Sequence, residues 1–300
     1  MKIKHSIIIQ TYNQQDYIAQ TIDSVLKQSS PAYEVIIGDD HSIDDTEKII
    51  LEYLFKYPNL IRYFPQEKNL GIMPHLNFLC RQVKGDVISL LGGDDYLLDG
   101  MLEEFNNRIS VEGVDPLKDK FILITNHFSE FTDGNRVLFD NLRIKKKSLL
   151  GQRLRYGLSY RDCGLSRALF DCLEPLEENI GIYADFVWGF DQIAKCDKFF
   201  FINKAFYVYR LGVGIVSKLD KQTKSVSKRK ALEIINTKYN TLFSSSDKLF
   251  LSFEQSKVEY EINSNFGNYF IYLIFLFLNF WNFSTNNPLW QNLKRFTLSK

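Results

Sequence analysis

Two adjacent carboxylates, Asp94 and Asp95, close the apolar stretch that runs from Val87 to Gly93. Side by side they repel each other unless a charge offsets them. A divalent cation does so, because Mg²⁺ and Mn²⁺ prefer hard oxygen ligands. Such an ion would in turn neutralise a diphosphate leaving group as a Lewis acid. Gly92 and Gly93, just before the pair, let a ligand approach the backbone closely. The plainer reading is a turn opening a helix, where Asp is favoured by the helix dipole. A second acidic pair, Asp39-Asp40, ends another apolar run. A carboxylate there can accept the imide N–H of a uracil ring, or it can cap a helix with Ser42 or Asp44. Thr11-Tyr12-Asn13 ends a third run and offers groups for a base and a ribose, with the Tyr12 ring free to stack. No GxxxxGK[ST] loop and no GxGxxG turn is present, which disfavours ATP and NAD enzymes of those types; GxSxG and HExxH are absent too.

These residues need a frame. Residues 5–11, 33–38, 60–64 and 86–91 are short apolar runs that read as strands, and 14–28, 44–57, 73–83 and 99–109 carry helical periodicity between and after them. Strand and helix alternate through the first 110 residues, the pattern of a doubly wound, mostly parallel α/β sheet. Ligands in such sheets collect at the carboxyl ends of strands. Four polar clusters fall there: Thr11–Asn13, Asp39-Asp40, the Asn69–Gly71 turn and Asp94-Asp95. After 110 the rhythm changes. Residues 121–125 read as a strand, and 126–160 as loop-rich with a short helix near 147–154. Residues 166–174 and 184–196 read as helices, and 198–209 as strand, turn and strand ending at Arg210. The expected division is a domain over 1–218, with halves 1–110 and 111–218, and a helical C-terminal extension over 219–300. In that extension 220–243, 257–262 and 266–283 read as helical. The apolar segment 267–283 spans 17 residues and contains Asn268, Asn279 and Asn282. A membrane span needs about 20 apolar residues. A packed helix, an in-plane membrane or partner-binding helix, and a span all stay open, with Lys294, Arg295 and Lys300 nearby.

With 37 Lys and Arg against 36 Asp and Glu, the chain lacks the basic excess that generic nucleic-acid binding needs. One local basic group remains, formed by Arg143, Lys145, Lys146, Lys147, Arg153 and Arg155. The four cysteines form no CxxC, so no structural zinc site is expected. Ile7–Ile9 reads as a buried strand and not as part of a signal peptide, so a reducing, cytoplasmic setting is expected.

The order of these motifs resembles family 2 of the inverting glycosyltransferases, which have the GT-A fold. Four stretches carry the resemblance: 6–29, 33–46, 67–77 and 85–102, with a weaker continuation through 166–171, 185–195 and 207–217. The resemblance implies a Rossmann-like α/β fold with an irregular acceptor-side half. It also implies transfer of a sugar, from a UDP-linked hexose or N-acetylhexosamine, to a glycan or lipid-linked oligosaccharide. The setting would be capsule, lipopolysaccharide or other surface-glycan synthesis, with Mn²⁺ or Mg²⁺ as cofactor. Thr11, Tyr12 and Asn13 would hold the nucleoside, Asp39 with Asp40 the base edge, and Gly71 the turn beside it. Gly93 and Asp94 would meet the diphosphate. Asp94 matches the last Asp of the family's DxD signature, the usual metal ligand, and Asp95 the common extra acid. Arg210 would face the diphosphate or order the segment behind it. An inverting enzyme needs a carboxylate base at the acceptor hydroxyl. Asp185 is the best match, with Asp191 second; six residues of helix separate them by roughly 9 Å of rise. Three positions depart from the family: Gly92 replaces the first Asp of DxD, Gln10 replaces a Pro, and Leu211-Gly212 stands where many members have a His. Gly92 keeps a second reading open, a catalytically weak or inactive binding or assembly subunit. A nucleotidyltransferase would need a Gly- and Lys-rich loop that is missing. No nucleic-acid partner is implied, peripheral contact with an inner membrane or another biosynthetic enzyme fits, and the oligomeric state stays open.

Overall fold

The computed structural model describes residues 3–140, 149–156 and 163–281, without the side chains of 215, 216, 277 and 279–281. Its first half alternates β1 (His5–Thr11), α1 (Ile18–Leu26), β2 (Glu34–Asp39), α2 (Thr46–Lys56), β3 (Ile61–Pro65), α3 (Ile72–Cys80) and β4 (Val87–Gly92). A two-residue strand β5 (Tyr96–Leu97) precedes α4 (Met101–Glu112). Then come β6 (Phe121–Glu130), β7 (Arg136–Phe139), α5 (Leu149–Tyr156), β8 (Cys163–Ser166), α6 (Arg167–Phe170), α7 (Ala184–Lys195) and β9 (Lys198–Arg210). Four helices close the described chain: α8 (Ile215–Lys218), α9 (Lys221–Tyr239), α10 (Ser245–Ile262) and α11 (Phe266–Trp281).

The strands form one mixed sheet in the order β3-β2-β1-β4-β8-β6-β9-β5, with β7 on the far side of β6. Strands β3, β2, β1 and β4 are all parallel, so their carboxyl ends lie along one edge. β8 then joins antiparallel to β4 and β6, and β9 runs parallel to β6 and antiparallel to β5. Both faces are covered, as parallel sheets require. Alternation along the strands splits the core in two. Ile8, Ile36 and Ile88 face α3, α7 and α9, while Ile7, Ile9, Val35 and Ile37 face α1, α2 and α4.

The doubly wound expectation is met, and four local expectations change. Residues 198–210 form one strand and not two: Asn203-Lys204 lies beside a register shift against β6 and not in a turn. The stretch after 125 is not all loop, because β6 continues to Glu130 and pairs with β7. Residues 166–174 give only the single turn of α6, preceded by β8. The expected helix 257–262 is the end of the 18-residue α10.

The C-terminal helices share the sheet's core: Leu232, Ile235, Tyr239, Phe243, Phe250 and Val258 pack in one cluster with Phe190, Ile122 and Leu165. Phe190 of α7 stacks on Tyr239 at 5.7 Å and meets Phe243 edge-on at 6.0 Å. α11 packs through Tyr272, Phe275 and Leu276, and Phe270, Ile271, Ile274 and Leu278 on its other side are exposed. No helix among the described residues is long and apolar enough to cross a membrane. The expected basic group is not a surface patch where it is described. Arg153 is buried against backbone carbonyls, and Arg155 pairs with Asp247 of α10 at 2.9 Å. Residues 143–147, Asn282, Lys294, Arg295 and Lys300 lie outside the described residues.

Candidate active site

The parallel register brings the expected strand-end residues together. Thr11 pairs with Asp39 across β1 and β2, and Gln10 pairs with Gly92 across β1 and β4. The turn after β1 is tightly tied. The Thr11 carbonyl accepts the Asp40 N–H at 3.0 Å, and Thr11 Oγ1 donates to Gln14 Oε1 at 2.7 Å. Asn13 takes a left-handed conformation with φ +53°, which Asn tolerates better than most residues. Its N–H donates to Ser42 Oγ and its Oδ1 accepts from the Ile43 N–H, pinning the turn to the loop after β2. Tyr12 stays exposed at this edge, its ring available to a base.

The two carboxylates after β2 have different work. Asp39 is buried; it accepts from the hydroxyl and N–H of Ser42 and lies 3.4 Å from the Tyr63 hydroxyl. Burial pushes its carboxyl above the ordinary range despite the opposing Ser42 hydrogen bonds, and Glu47 adds to the rise. Asp40 turns the other way. Its oxygens accept from the Leu70 and Gly71 N–H groups at 2.8 Å each, so it builds the 69–71 turn in place of meeting a base. Gly71 has φ +85° and ψ 165°, a conformation close to glycine-only, which explains the residue there. Behind this turn His75 is fully buried, 4.0 Å from Asp40, and burial lowers its pKa below the usual histidine value.

Asp94 and Asp95 divide in the same manner. Asp95 was expected beside a metal, but its carboxylate faces inward. It accepts from the Tyr207 hydroxyl at 2.7 Å and from the Arg210 N–H at 2.9 Å. The same Tyr207 hydroxyl accepts the Gly92 N–H at 3.3 Å. Asp95 thus fastens β9 to the end of β4. Asp94 is half-exposed and borders two glycines: a Cβ on Gly92 would sit 2.9 Å from its Oδ1, and one on Gly214 would sit 2.7 Å from its Oδ2. The space around this carboxylate depends on both residues lacking side chains. Gly93 is needed for another reason. A Cβ there would fall 2.2 Å from Gln14 Oε1 and 2.7 Å from Thr11, so the Thr11–Gln14 contact would have to move. Thr21 of α1 sits behind the turn, its hydroxyl 2.8 Å from Gly93 O and 2.6 Å from Asp95 O.

Arg210 orders the segment behind the site. Its guanidinium donates to the Asp94 carbonyl and to Gln20, and lies 3.7 Å from Glu130. It is sandwiched between the Tyr96 ring at 4.6 Å and the Tyr17 ring at 5.1 Å. Glu130 also accepts from Tyr96 and Arg136, each at 2.7 Å. Nearly buried and bonded to the Asp94 carbonyl, this arginine shapes the Asp94 turn from behind. Tyr17, Tyr96, Glu130, Tyr207 and Gly214 were missed in the sequence, since only the β9 crossover brings them together.

Asp185 and Asp191 separate cleanly. Asp185 is exposed in the first turn of α7, and its Oδ1 accepts the Phe186 N–H at 2.7 Å. Arg153 holds the backbone beneath it, donating to the carbonyls of Asp185 and Phe186 at 2.9 Å each. Asp191 is buried on another face of the helix, paired with Lys195 at 2.9 Å and accepting the Glu174 N–H at 3.1 Å. That position fixes the lead-in to α7 and does not suit a base.

The family model for Glycosyl transferase family 2 matches residues 6–173 of this chain. The chondroitin synthase of Escherichia coli is 36% identical over 110 residues, which take in 35% of this chain and 16% of that protein. The teichoic acid poly(glycerol phosphate) polymerase of Staphylococcus epidermidis is 26% identical over 211 residues, 68% of this chain and 28% of that protein. The chain spans less than half the length of the curated relatives it matches first. Among solved structures, residues 1–349 of S. aureus TarS in complex with UDP-GlcNAc superpose with a TM-score of 0.65 at 20% identity, covering 91% of this chain and 80% of that one. That likeness shows a shared fold.

Proposed function

Because the chain belongs to glycosyl transferase family 2, we propose that it transfers a sugar, with inversion, from a nucleotide sugar to a hydroxyl of a glycan or lipid-linked acceptor in bacterial surface-polysaccharide synthesis. One observation supports the reading: the parallel register sets Thr11 against Asp39 and Gln10 against Gly92, so the groups assigned to base, ribose and diphosphate share one sheet edge. A UDP-linked hexose or N-acetylhexosamine is the proposed donor, supported by Asp39 at the base position and by the UDP-GlcNAc bound to TarS.

Asp39 accepts the imide N–H of the base, Tyr12 stacks on its ring, and the Gly93 backbone lets the diphosphate lie against the sheet edge. The end of β4 suits Mn²⁺ or Mg²⁺. Asp94 lies in a space left by two glycines, and no group of three ligating side chains occurs among the described residues. Asp94 is the residue that would hold the ion, since Mg²⁺ sites often rest on one or two carboxylates. When bound, such an ion would supply positive charge that offsets the nucleoside diphosphate leaving group. Asp185 takes the proton from the acceptor hydroxyl as its oxygen attacks the anomeric carbon opposite the leaving group. The test is nucleoside diphosphate release from a panel of nucleotide sugars with and without Mn²⁺. Asp94→Asn should cut metal-dependent turnover at least about 100-fold; unchanged turnover would sink the assignment.

The exposed side of α11 extends the proposal to peripheral contact with an anionic membrane. Its apolar residues precede Lys294, Arg295 and Lys300, and no acidic residue follows Glu261. The full chain should sediment with phosphatidylglycerol vesicles and not with phosphatidylcholine ones. Equal recovery with both, or with neither, would reject an electrostatically assisted contact.

A further inference from the structure

The segment that leads into α7 has no regular structure from Asp171 to Tyr183 beyond turns, yet it sets where Asp185 stands. Helix α9 holds it at several points. Ser227 Oγ donates to the Ile180 carbonyl at 2.6 Å and accepts the Tyr183 N–H at 3.3 Å. Lys230 donates to the Asn179 carbonyl at 3.0 Å, and Lys238 pairs with Glu177 at 2.9 Å and Glu174 at 3.3 Å. Gly181 turns the chain at φ +82°, and a Cβ there would lie 3.2 Å from Ser227 Oγ. Tyr183 is the N-cap of α7 and makes no side-chain cap hydrogen bond of its own. A hydroxyl has one proton to give. With that proton on Ile180 O, the buried Ser227 oxygen can only accept from Tyr183, so the direction of both bonds is fixed. Next door, Lys228 and Glu254 form a close, largely buried pair that ties α9 to α10.

We infer that Ser227 is a positioning residue for Asp185: from the C-terminal helices it fixes the entry of α7 and so the direction of the carboxylate two residues later. The inference rests on Asp185 being the base. Arg153 grips the first turn from α5 at the Asp185 and Phe186 carbonyls, while Ser227 grips the residues before it. Loss of either lets the first turn shift, and small misplacements of a reacting group are costly. The C-terminal helices then complete the acceptor side of the site as well as the core.

The experiment uses the full chain and the nucleotide sugar that the wild type hydrolyses fastest in a panel of UDP- and GDP-linked hexoses. Ser227→Ala should lower kcat about 10- to 100-fold, with KM for that sugar and Kd for its nucleoside diphosphate nearly unchanged. Hydrogen exchange should quicken at Tyr183 and Ala184 but not in β1 to β4, and Ser227→Thr, which keeps the hydroxyl, should recover kcat. In an Asp185→Asn background, Ser227→Ala should have no further effect. Wild-type kcat in Ser227→Ala, beside an inactive Asp185→Asn, would overturn the inference alone. A loss that tracks Kd, or adds fully to that of Asp185→Asn, would overturn it as well. An active Asp185→Asn would instead remove the base assignment, and the inference with it.

Discussion

The carboxylate of Asp95 and the hydroxyl of Tyr207 meet at 2.7 Å, fully buried, across 112 residues of chain. Asp94, one residue earlier, is half-exposed between two glycines. The two neighbours should therefore fail in different ways. Asp95→Ala removes the acceptor that the buried Tyr207 hydroxyl and Arg210 N–H share, a cost of about 2–5 kcal/mol that chemical denaturation would measure. Asp94→Asn should remove turnover with a smaller loss of stability than Asp95→Ala. Equal stability losses in both would contradict this division.

Gly92 is explained by crowding. A Cβ there would lie 2.9 Å from Asp94 Oδ1 and 3.1 Å from Asp95 Oδ2. Gly92→Asp restores the family's usual residue but places a third carboxylate against two others. It should lower the melting temperature by several degrees in EDTA and recover part of that with Mn²⁺. A melting temperature insensitive to Mn²⁺ would show that no ion binds beside Asp94.

Burial holds the Asp39 carboxyl above its ordinary range. A base imide N–H needs the ionised form as acceptor, so affinity falls as pH drops through that raised value. A nucleotide sugar is the right probe, since its diphosphate diester does not titrate near neutrality. Its Kd by calorimetry should begin to rise at a higher pH than it would with an unshifted carboxylate, which stays ionised down to about pH 4. Asp39→Asn should bind more weakly and with a flatter profile. Stability carries the opposite sign. A carboxyl whose folded pKa is raised contributes stability below its unfolded value and loses it as pH rises through the folded one.

The two candidate bases can be separated. Asp185→Asn should reduce kcat about 10²- to 10⁴-fold, the range for a lost general base, with nucleotide affinity retained. Asp191→Asn should keep turnover near wild type and lose about 1–2 kcal/mol of stability, because it weakens the Lys195 pair and the Glu174 tether. The reverse pattern in steady-state kinetics would exchange the two roles.

What could be read in the sequence depended on how local the signal was. Strands β1 to β4 announce themselves because each is a short apolar run followed within a few residues by its own polar cluster. The edge bearing Thr11, Asp39, Gly71 and Asp94 follows from that repetition. The division of labour inside each acidic pair was out of reach. Asp40 is taken up by backbone 30 residues later, and Asp95 by groups 112 and 115 residues later. Residues 198–209 read as strand, turn and strand because polar Asn203 and Lys204 interrupt an aromatic run; in the fold Lys204 reaches Glu104 at 2.6 Å beside a bulge. Strands of two and four residues, β5 and β8, are too short to show a period.

The Arg210 N–H on Asp95 spans 115 residues, and this sets an order of events during synthesis. At about 5–20 residues per second, roughly 6–23 s pass between the ribosome completing Asp95 and reaching Arg210. Through that interval the parallel strands can pair before Tyr207 and Arg210 reach the Asp95 carboxylate. A nascent chain would acquire the edge bearing Thr11 and Asp39 first and its sealed Asp94 turn much later.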